Sequence, residues 1–400
     1  MQFEVLKKSH LKRNILIAVV VVLIISAVIL NFTRAKYRVT QSIPLVNGTI
    51  NYTAPDLNTI ALYVDGVATD TLPTGNYELT SESYCEIDGE RAEVTLNYDS
   101  STQTLTVAPF TTRGTKCYLY FEESKSAADI IEGLYEDNQD ILAYDGTTDN
   151  NLRYIGENPN NYVYFNCSNY SNPSSSTCEL WRIIGVMNNI ETTDGNQSLV
   201  KLIRNESLGS MEWDGRENDW SGADLQETLN GDYLNRTGSY SSTGITAGTR
   251  DMIETVTWKL GGRSNDSATA QTFYTAERGT TVYSGNPTEW EGKIALMYPS
   301  DYGFATSEST CRSNTYTLSG WSSSCYNNDW LYIGYNQWTL TPRSDDYGFV
   351  FYVSQNGSVN DSTGYGVSNN RRVKPTIYLK SNVSITGGTG TEANPYTLSL

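Results

Sequence analysis

The chain has almost no histidine: among 400 residues, the only one is His10. It stands before a long apolar run, so no histidine in the rest of the chain can act as a base or bind a metal. A Ser-His-Asp triad and a histidine-ligated zinc site are therefore excluded there. The sequence also lacks a Gly-x-Ser-x-Gly elbow, a His-Glu-x-x-His motif and a P-loop. We therefore expect no enzymatic activity.

Charged residues are also scarce, at 18%, and the net charge is −17. An acidic chain does not neutralise phosphates, so we expect no nucleic-acid partner. Aromatic residues make up 12%, and the sequence contains 29 tyrosines and 32 glycines. This composition is rich enough in aromatic residues to build a core, and it favours sheets and turns over disorder.

One long apolar run is present, over residues 15–30, with Phe32 extending it. At this length it lies at the low edge of the roughly 17–25 residues that span a bilayer. We predict a cytoplasmic tail at 1–14, a single transmembrane anchor at 15–32 and a large extracellular C-terminal part. A cleaved signal peptide is the alternative.

Six cysteines lie beyond this run, and none forms a Cys-x-x-Cys motif. An even number of cysteines without that motif favours disulfides over zinc or redox chemistry. Fifteen pairings exist for six cysteines, and proximity in sequence suggests Cys85–Cys117, Cys167–Cys178 and Cys311–Cys325. Disulfides require an oxidising compartment, which agrees with an extracellular location. Buried free thiols in the cytosol are the alternative.

Two regions of different character follow the apolar run. Residues 36–123 show the apolar–polar alternation of short strands, with a turn at Asp65-Gly66, and predict an all-β sandwich that acts as a stalk. Residues 124–144 predict a connecting helix, capped by Ser126, and a linker. Residues 145–400 mix short strands with helices.

Within 145–400 the sequence indicates particular elements. Asn356-Gly357 predicts a hairpin turn, a capping box at 221–224 predicts the start of a helix, and Pro375 predicts an edge strand or a bulge. The other strands are predicted at 162–165, 180–186, 199–203, 294–298 and 373–379, and the other helices at 246–256 and 268–277.

Three segments of this region resemble a known family. They are Trp338-Thr-Leu-Thr-Pro342-Arg343, the Asn356-Gly357 hairpin and Arg371-Arg-Val-Lys-Pro375-Thr-Ile-Tyr-Leu379. Together they are similar to the C-terminal half of bacterial C-type-lectin-like domains, which are related to formylglycine-generating-enzyme-like and retroelement-diversified receptor-binding proteins. The resemblance implies an α+β lectin-like domain at 145–400 in a membrane-anchored surface protein of a Gram-positive bacterium.

The sequence departs from that family in two respects. The Glu-Pro-Asn, Gln-Pro-Asp and Trp-Asn-Asp tripeptides of calcium-dependent sugar-binding lectins are absent, so no motif supports a Ca²⁺ cofactor and none is expected. Formylglycine-generating enzymes use a reactive cysteine pair, whereas Cys311 and Cys325 read as a loop disulfide. The oxidase activity is therefore not implied for this chain.

The segment Cys311–Arg372 is rich in tyrosine and tryptophan. Rigid tyrosine and tryptophan rings beside asparagine and arginine are typical of recognition surfaces. The candidate ligand-binding residues are Tyr326, Trp330, Tyr335, Arg343, Asp345, Asp346, Tyr347, Asn360, Tyr365, Asn369 and Arg371. The alternative is that these rings cover sheet faces, as we expect for Trp338 and Phe349.

A second, weaker candidate is an acidic loop. Asp214, Glu217 and Asp219 lie beside Trp213 and Trp220, and such residues can bind Ca²⁺ or a sugar ring. A solvated loop is the alternative.

Taken together, these features predict a cell-surface recognition or adhesion protein that binds a glycan or protein ligand. The alternatives are a structural envelope or fibre subunit and, last, a carbohydrate-active enzyme with two carboxylates.

Overall fold

The computed structural model describes residues 57–74, 77–87, 89–99, 102–108, 115–313, 315–361 and 366–400. The predicted tail at 1–14 and anchor at 15–32 lie outside these residues. Among the residues described, no helix has the length and apolar character needed to cross a membrane. The chain divides into two compact units, which meet in sequence at Glu123 and Ser124. Both are mainly β-sheet, and the few helices described belong to the second unit.

The first unit is all-β in the part that is described. Its strands are β1 (Leu57–Val64), β2 (Val67–Thr69), β3 (Tyr77–Leu79), β4 (Tyr84–Ile87), β5 (Glu90–Arg91), β6 (Thr95–Asp99), β7 (Thr104–Ala108) and β8 (Thr115–Glu123). One sheet has the order β2-β1-β8-β4-β5, with β3 also paired to β8, and β6 and β7 form a separate ribbon. The predicted turn is confirmed, since Asp65 and Gly66 both have positive φ between β1 and β2.

The ribbon and the sheet of the first unit share one small core. Leu105 of the ribbon is buried with Leu62, Leu119 and Phe121 of the sheet. Cys85 and Cys117 lie directly opposite each other on β4 and β8 and form the predicted disulfide. A core of this size provides limited stability, so a cross-link contributes a large share.

Replacing both members of this disulfide, in Cys85→Ala/Cys117→Ala, is expected to destabilise the first unit by about 3–4 kcal/mol. The two cysteines are 32 residues apart, and closing a loop of that length restricts the unfolded chain by about this free energy. Hydrogen exchange of residues 57–123 in increasing urea measures the loss.

Tryptophan fluorescence provides the internal control for that experiment. All eight tryptophans lie between Trp181 and Trp338, in the second unit. The urea midpoint of the unfolding transition that these tryptophans report should be the same in the double variant as in the unmodified protein. A first unit that exchanges as slowly without the disulfide as with it would contradict the prediction.

The second unit contains short helices and many strands. Its described helices are α1 (Ala127–Gly133), α2 (Asp224–Thr228), α3 (Ala247–Asp251), α4 (Ala270–Glu277), α5 (Pro299–Phe304), α6 (Ser309–Arg312) and α7 (Ser323–Tyr326). Its described strands are β9 (Leu142–Tyr144), β10 (Leu152–Tyr154), β11 (Tyr162–Phe165), β12 (Glu179–Thr192), β13 (Gly195–Arg204), β14 (Ser210–Met211), β15 (Val256–Lys259), β16 (Glu289–Gly292), β17 (Ile294–Ala295), β18 (Gln337–Pro342), β19 (Val350–Val353), β20 (Val359–Asn360), β21 (Arg371–Arg372), β22 (Thr376–Tyr378), β23 (Ser384–Gly387) and β24 (Thr397–Ser399).

Two sheets organise the second unit. The larger has the order β16-β15-β12-β13-β22-β17, with β9, β10 and β11 attached on the side of β12. The smaller has the order β14-β21-β18-β19-β20. The long β12–β13 hairpin is buried along much of its length, and Trp181 and Ile183 of β12 lie in the main core. The predicted pairs Cys167–Cys178 and Cys311–Cys325 are both formed in this unit.

Helix α1 has the predicted cap. The Asp129 N–H donates to the Ser126 hydroxyl over 3.1 Å, and the Ser126 N–H donates to the Asp129 carboxylate over 3.0 Å. Ala127, Ala128 and Ile131 are buried in the core of the second unit. Residues 124–144, which the sequence assigns to a connecting helix and linker, thus belong to that compact unit.

The structure corrects two of the local predictions. Ser221 does not cap a helix, because its hydroxyl donates to Asp219 and α2 begins only at Asp224. The strand after Pro375 is not at an edge, because β22 lies between β13 and β17. Pro375 precedes the strand, so its missing N–H costs no hydrogen bond of the sheet.

Candidate functional site

The predicted ligand-binding residues occupy different environments in the structure. Tyr335 and Tyr347 are largely exposed, Asp345 is exposed, and Tyr365 lies outside the described residues. Trp330 and Arg371 are each only 5% exposed. The remaining members are half-buried, namely Tyr326, Arg343, Asp346, Asn360 and Asn369.

Arg371 is part of the protein interior and not of an exposed face. Its guanidinium carbon lies 4.3 Å from the ring centre of Trp338 and 3.8 Å from that of Tyr352. Trp338 is buried, as expected, whereas Phe349 is half-buried. A planar cation held between two rings stabilises the smaller sheet, so we remove Arg371 from the candidate ligand contacts.

Arg343, Asp345, Asp346 and Tyr347 form a structured loop. Arg343 donates two hydrogen bonds to Asp345, both of 2.9 Å, and pairs with Asp361 at 3.0 Å. The buried Asn218 side chain donates to the carbonyls of Arg343, Asp346 and Phe349. These contacts pair the charged side chains of the loop with one another and with Asp361, and they tie its backbone carbonyls to Asn218. The loop is thus held in place by hydrogen bonds within the folded chain.

Trp330 and Tyr335 lie together at a cavity of about 370 Å³. Three chain segments form its walls: residues 205–207 after β13, the loop at 330–335, and residues 372 and 374 around β21. We call it the Lys374 cavity. The Trp330 indole N–H donates to the carbonyl of Tyr154 over 2.9 Å, which fixes the ring in the wall. The Arg372 guanidinium lies 5.1 Å from the ring centre of Tyr335.

The charge of this cavity is unusual for so acidic a chain. Lys374 is only 3% exposed and lines the cavity, and among the residues that the structure describes its ammonium has no hydrogen bond or ion pair. Burial, together with the nearby Arg182 and against the opposing effect of Glu206, lowers the pKa of Lys374 to about 7. Buried lysines are ordinarily paired, because an unpaired buried cation is destabilising.

A second buried cation lies behind the same wall. The Arg182 guanidinium carbon is 4.5 Å from the ring centre of Trp330 and 4.1 Å from that of Tyr162. It donates to Asn158, Asn161 and the Pro159 carbonyl, so its described hydrogen bonds go to neutral acceptors. Burial lowers the pKa of Arg182 to about 10. Among the described residues, neither Lys374 nor Arg182 has a carboxylate within ion-pair distance. Lys374 lines the cavity, and Arg182 packs on the Trp330 ring that forms part of its wall.

Neither Lys374 nor Arg182 is among the site residues that the sequence predicts. Lys374 stands in the apolar run from Val373 to Leu379, and Arg182 stands in the apolar run from Leu180 to Val186. A charged residue inside a buried strand is itself a signal, because lysine and arginine are rarely buried without a partner. Their separation in sequence hides the fact that both lie near Trp330, Lys374 in the lining of the same cavity and Arg182 against the indole ring.

A second cavity, of about 250 Å³, opens beside β12 and β15. Trp258, Tyr298 and Tyr378 contribute aromatic rings, and Asn188 and Arg278 contribute polar groups. Behind these rings lies a buried ion network. Asp301 accepts from Arg153 over 2.8 Å and from Lys201 over 2.6 Å, and Arg153 also donates to Asp145 over 2.7 Å.

The ion network joins four separate parts of the second unit. Asp145 follows β9, Arg153 lies on β10, Lys201 on β13 and Asp301 on α5. Burial alone would raise the pKa of Asp301, but Lys201 and Arg153 outweigh it and hold that pKa well below its usual range. A paired and enclosed carboxylate of this kind is a structural group and does not contact a ligand.

Glu277 is another buried acid, at the end of α4. Burial raises its pKa to about 7, although Arg278 and Ser300 act in the opposite direction. The Ser300 N–H and hydroxyl both donate to its carboxylate. Because Glu277 is fully buried, its contacts hold α4 against α5.

The acidic loop at Asp214 does not fit a metal site. Asp214 is buried and accepts the N–H groups of Arg216, Glu217 and Asp224. Trp213 and Trp220 are fully buried, with ring centres 5.1 Å apart, so neither can stack on a sugar. Within the described part of the chain, no group of three or more His, Cys, Asp or Glu residues is placed to hold a metal ion.

Comparison with known proteins yields no relative: no family model, no curated protein and no solved structure matches the chain. A functional conclusion therefore depends on the geometry and chemistry of the chain's own residues.

Proposed function

We propose that the chain is a cell-surface recognition or adhesion protein, anchored by residues 15–32. Its C-terminal unit would be a C-type-lectin-like domain that binds a glycan or a protein ligand. The observation that carries this proposal is the exposed ring of Tyr335, 59% accessible, at a cavity that also holds Trp330. An exposed aromatic ring beside a concave, partly polar cavity is the usual form of a ligand site.

The location outside the cell is supported by the cysteines. All six form disulfides, three in total, and they lie in both compact units. Bonds of this kind form and persist in an oxidising compartment. They favour an extracellular chain over a cytosolic one.

The side chains of the cavity suit recognition. The Tyr335 ring is rigid and amphipathic, so a ligand gains contact area at a low entropy cost. The Arg372 guanidinium lies 5.1 Å from the Tyr335 ring centre and places a positive charge beside that ring. The buried Trp330, held by its hydrogen bond to Tyr154, forms a fixed wall of the cavity.

Replacing Tyr335 with alanine should lower the affinity for the natural ligand at least about tenfold. Tyrosines that act as binding hot spots contribute about 2 kcal/mol or more, and about 1.4 kcal/mol corresponds to a factor of ten. The measurement is retention of purified full-length protein, in mild detergent, on glycan arrays and immobilised cell-surface extracts.

Tyr316→Ala is the matched control, because Tyr316 is also an exposed tyrosine, at 43%, and does not line the cavity. Its binding should equal that of the unmodified protein. No retained ligand, or equal retention by both variants, would count against the recognition function. Concentration-dependent self-assembly that Tyr335→Ala abolishes would instead support a structural envelope or fibre subunit.

A further inference from the structure

The Lys374 cavity combines two features that select different parts of a ligand. Tyr335 offers an exposed ring surface, which can pack on the apolar face of a sugar or another flat group, while the buried Trp330 forms part of the wall. Lys374 offers a buried ammonium, which among described residues lacks an anionic partner within ion-pair distance. An unpaired buried cation is destabilising in the free protein and gains most when an anion enters.

The surroundings of Lys374 are predominantly positive. Arg182 lies against Trp330 from β12, Arg372 lines the cavity, and Arg204 is the last residue of β13. Arg204 is already paired with Glu179 at 3.0 Å. The one acid in the lining is Glu206, which is exposed at the rim. In a chain of net charge −17, a local excess of cations concentrates anions at this place.

We propose that the Lys374 cavity binds an acidic sugar, with the anionic group at the Lys374 ammonium and the ring against the exposed face of Tyr335. This inference rests on the proposed recognition function and names the class of its ligand. A volume of about 370 Å³ lies at the small end of ligand cavities, roughly 300–1,000 Å³, and suits one terminal sugar residue. The proposal requires no metal ion.

The test compares two sugars that differ at one position. Sodium D-glucuronate and D-glucose share the same ring and differ in the carboxylate at C6. Isothermal titration of the full-length protein at about pH 6 should show glucuronate binding at least about tenfold more tightly than glucose. Lys374→Met should abolish that preference, and Lys380→Met, which makes the same charge change outside the cavity lining, should keep it.

The affinity for glucuronate should also fall as the pH rises. The pKa of Lys374 is about 7, so the protonated fraction falls about tenfold between about pH 6 and about pH 8. Binding to the unmodified protein should weaken by about this factor. The other charged groups near Lys374 are Arg182, Arg204, Arg372 and Glu206. The pKa of Arg182 is about 10 and that of Arg204 is raised, so neither arginine loses its charge between about pH 6 and about pH 8.

Three results would overturn the acidic-sugar proposal: equal affinity for glucose and glucuronate, unchanged binding by Lys374→Met, or equal binding of inorganic sulfate, which has no ring. Lys374→Met removes a buried charge and should fold, which its thermal melting curve will show. A neutral glycan or a protein retained through Tyr335, without glucuronate binding, would reject the acidic ligand and leave the recognition function standing.

Discussion

Asp301→Ala is expected to destabilise the second unit by about 3–5 kcal/mol. The substitution removes the shared acceptor of Arg153 and Lys201 and leaves two buried cations without it. Breaking a buried ion pair on one side costs this much because the remaining charge is neither hydrated nor compensated. Asp301 also accepts the N–H of Tyr298 at the start of α5, which the variant loses as well. Urea denaturation followed by tryptophan fluorescence reports the second unit alone.

Asp345→Ala is the matched control for this prediction. Asp345 also pairs with an arginine, Arg343 at 2.9 Å, but its side chain is 47% exposed. An exposed pair contributes roughly 0–1 kcal/mol, so the control should stay close to the unmodified protein. Equal losses of unfolding free energy in Asp301→Ala and Asp345→Ala would show that burial does not determine how much the Asp301 network stabilises the second unit.

Acid should remove the contribution of Asp301. Its pKa is lower in the folded chain than in the unfolded chain, so the stabilisation is present above about pH 4 and is lost as the pH falls toward the folded pKa. In Asp301→Ala the unfolding free energy should depend less on pH in this acidic range. An unchanged acid dependence would contradict the assignment of Asp301 as a charged group.

Lys374→Met is expected to stabilise the second unit by about 5 kcal/mol near pH 6. Burial lowers the pKa of Lys374 to about 7 from the model-compound value of 10.5. Each pKa unit corresponds to about 1.36 kcal/mol, so the protonated lysine destabilises the folded chain by several kcal/mol. Methionine fills a similar volume without a charge.

The effect of Lys374→Met should depend on pH in a definite direction. The unfolded chain binds more protons at Lys374 than the folded chain between about pH 7 and pH 10.5, so the unmodified protein gains stability over this range. The advantage of the variant should therefore shrink to about 1 kcal/mol by about pH 10. The half-buried Lys380 provides the control variant Lys380→Met. If Lys374→Met changes the unfolding free energy by the same amount at about pH 6 and about pH 10, the result would contradict the description of Lys374 as an unpaired buried ammonium.

Local features of the fold were predictable because neighbouring residues decide them. Asn356-Gly357 forms the predicted turn between β19 and β20, with Gly357 at positive φ. The three disulfides join cysteines that are 32, 11 and 14 residues apart. Short loops close at a low entropy cost, so proximity in sequence was a sound guide to pairing.

Exposure along the tyrosine-rich segment was only partly predictable. Tyr335 is exposed as expected, whereas Trp330 and Arg371 are buried. Composition indicates that rings are abundant but not which face of a strand or loop they occupy. That depends on the packing of distant elements, such as the Tyr154 carbonyl that binds the Trp330 indole.

The amino-acid sequence alone determined the β-rich character of the chain, the turns at Asp65-Gly66 and Asn356-Gly357, the Ser126 cap and the disulfides, because each depends on residues close together in the chain. The tertiary structure decided where the charges meet. Arg182 and Lys374 are far apart in sequence, yet Arg182 packs on Trp330 in the wall of the cavity that Lys374 lines. In the same way, Arg153, Lys201 and Asp301 converge in the core. Sheet pairing over such distances determines which cations lie beside a carboxylate and which do not, and a local sequence pattern carries no information about that pairing.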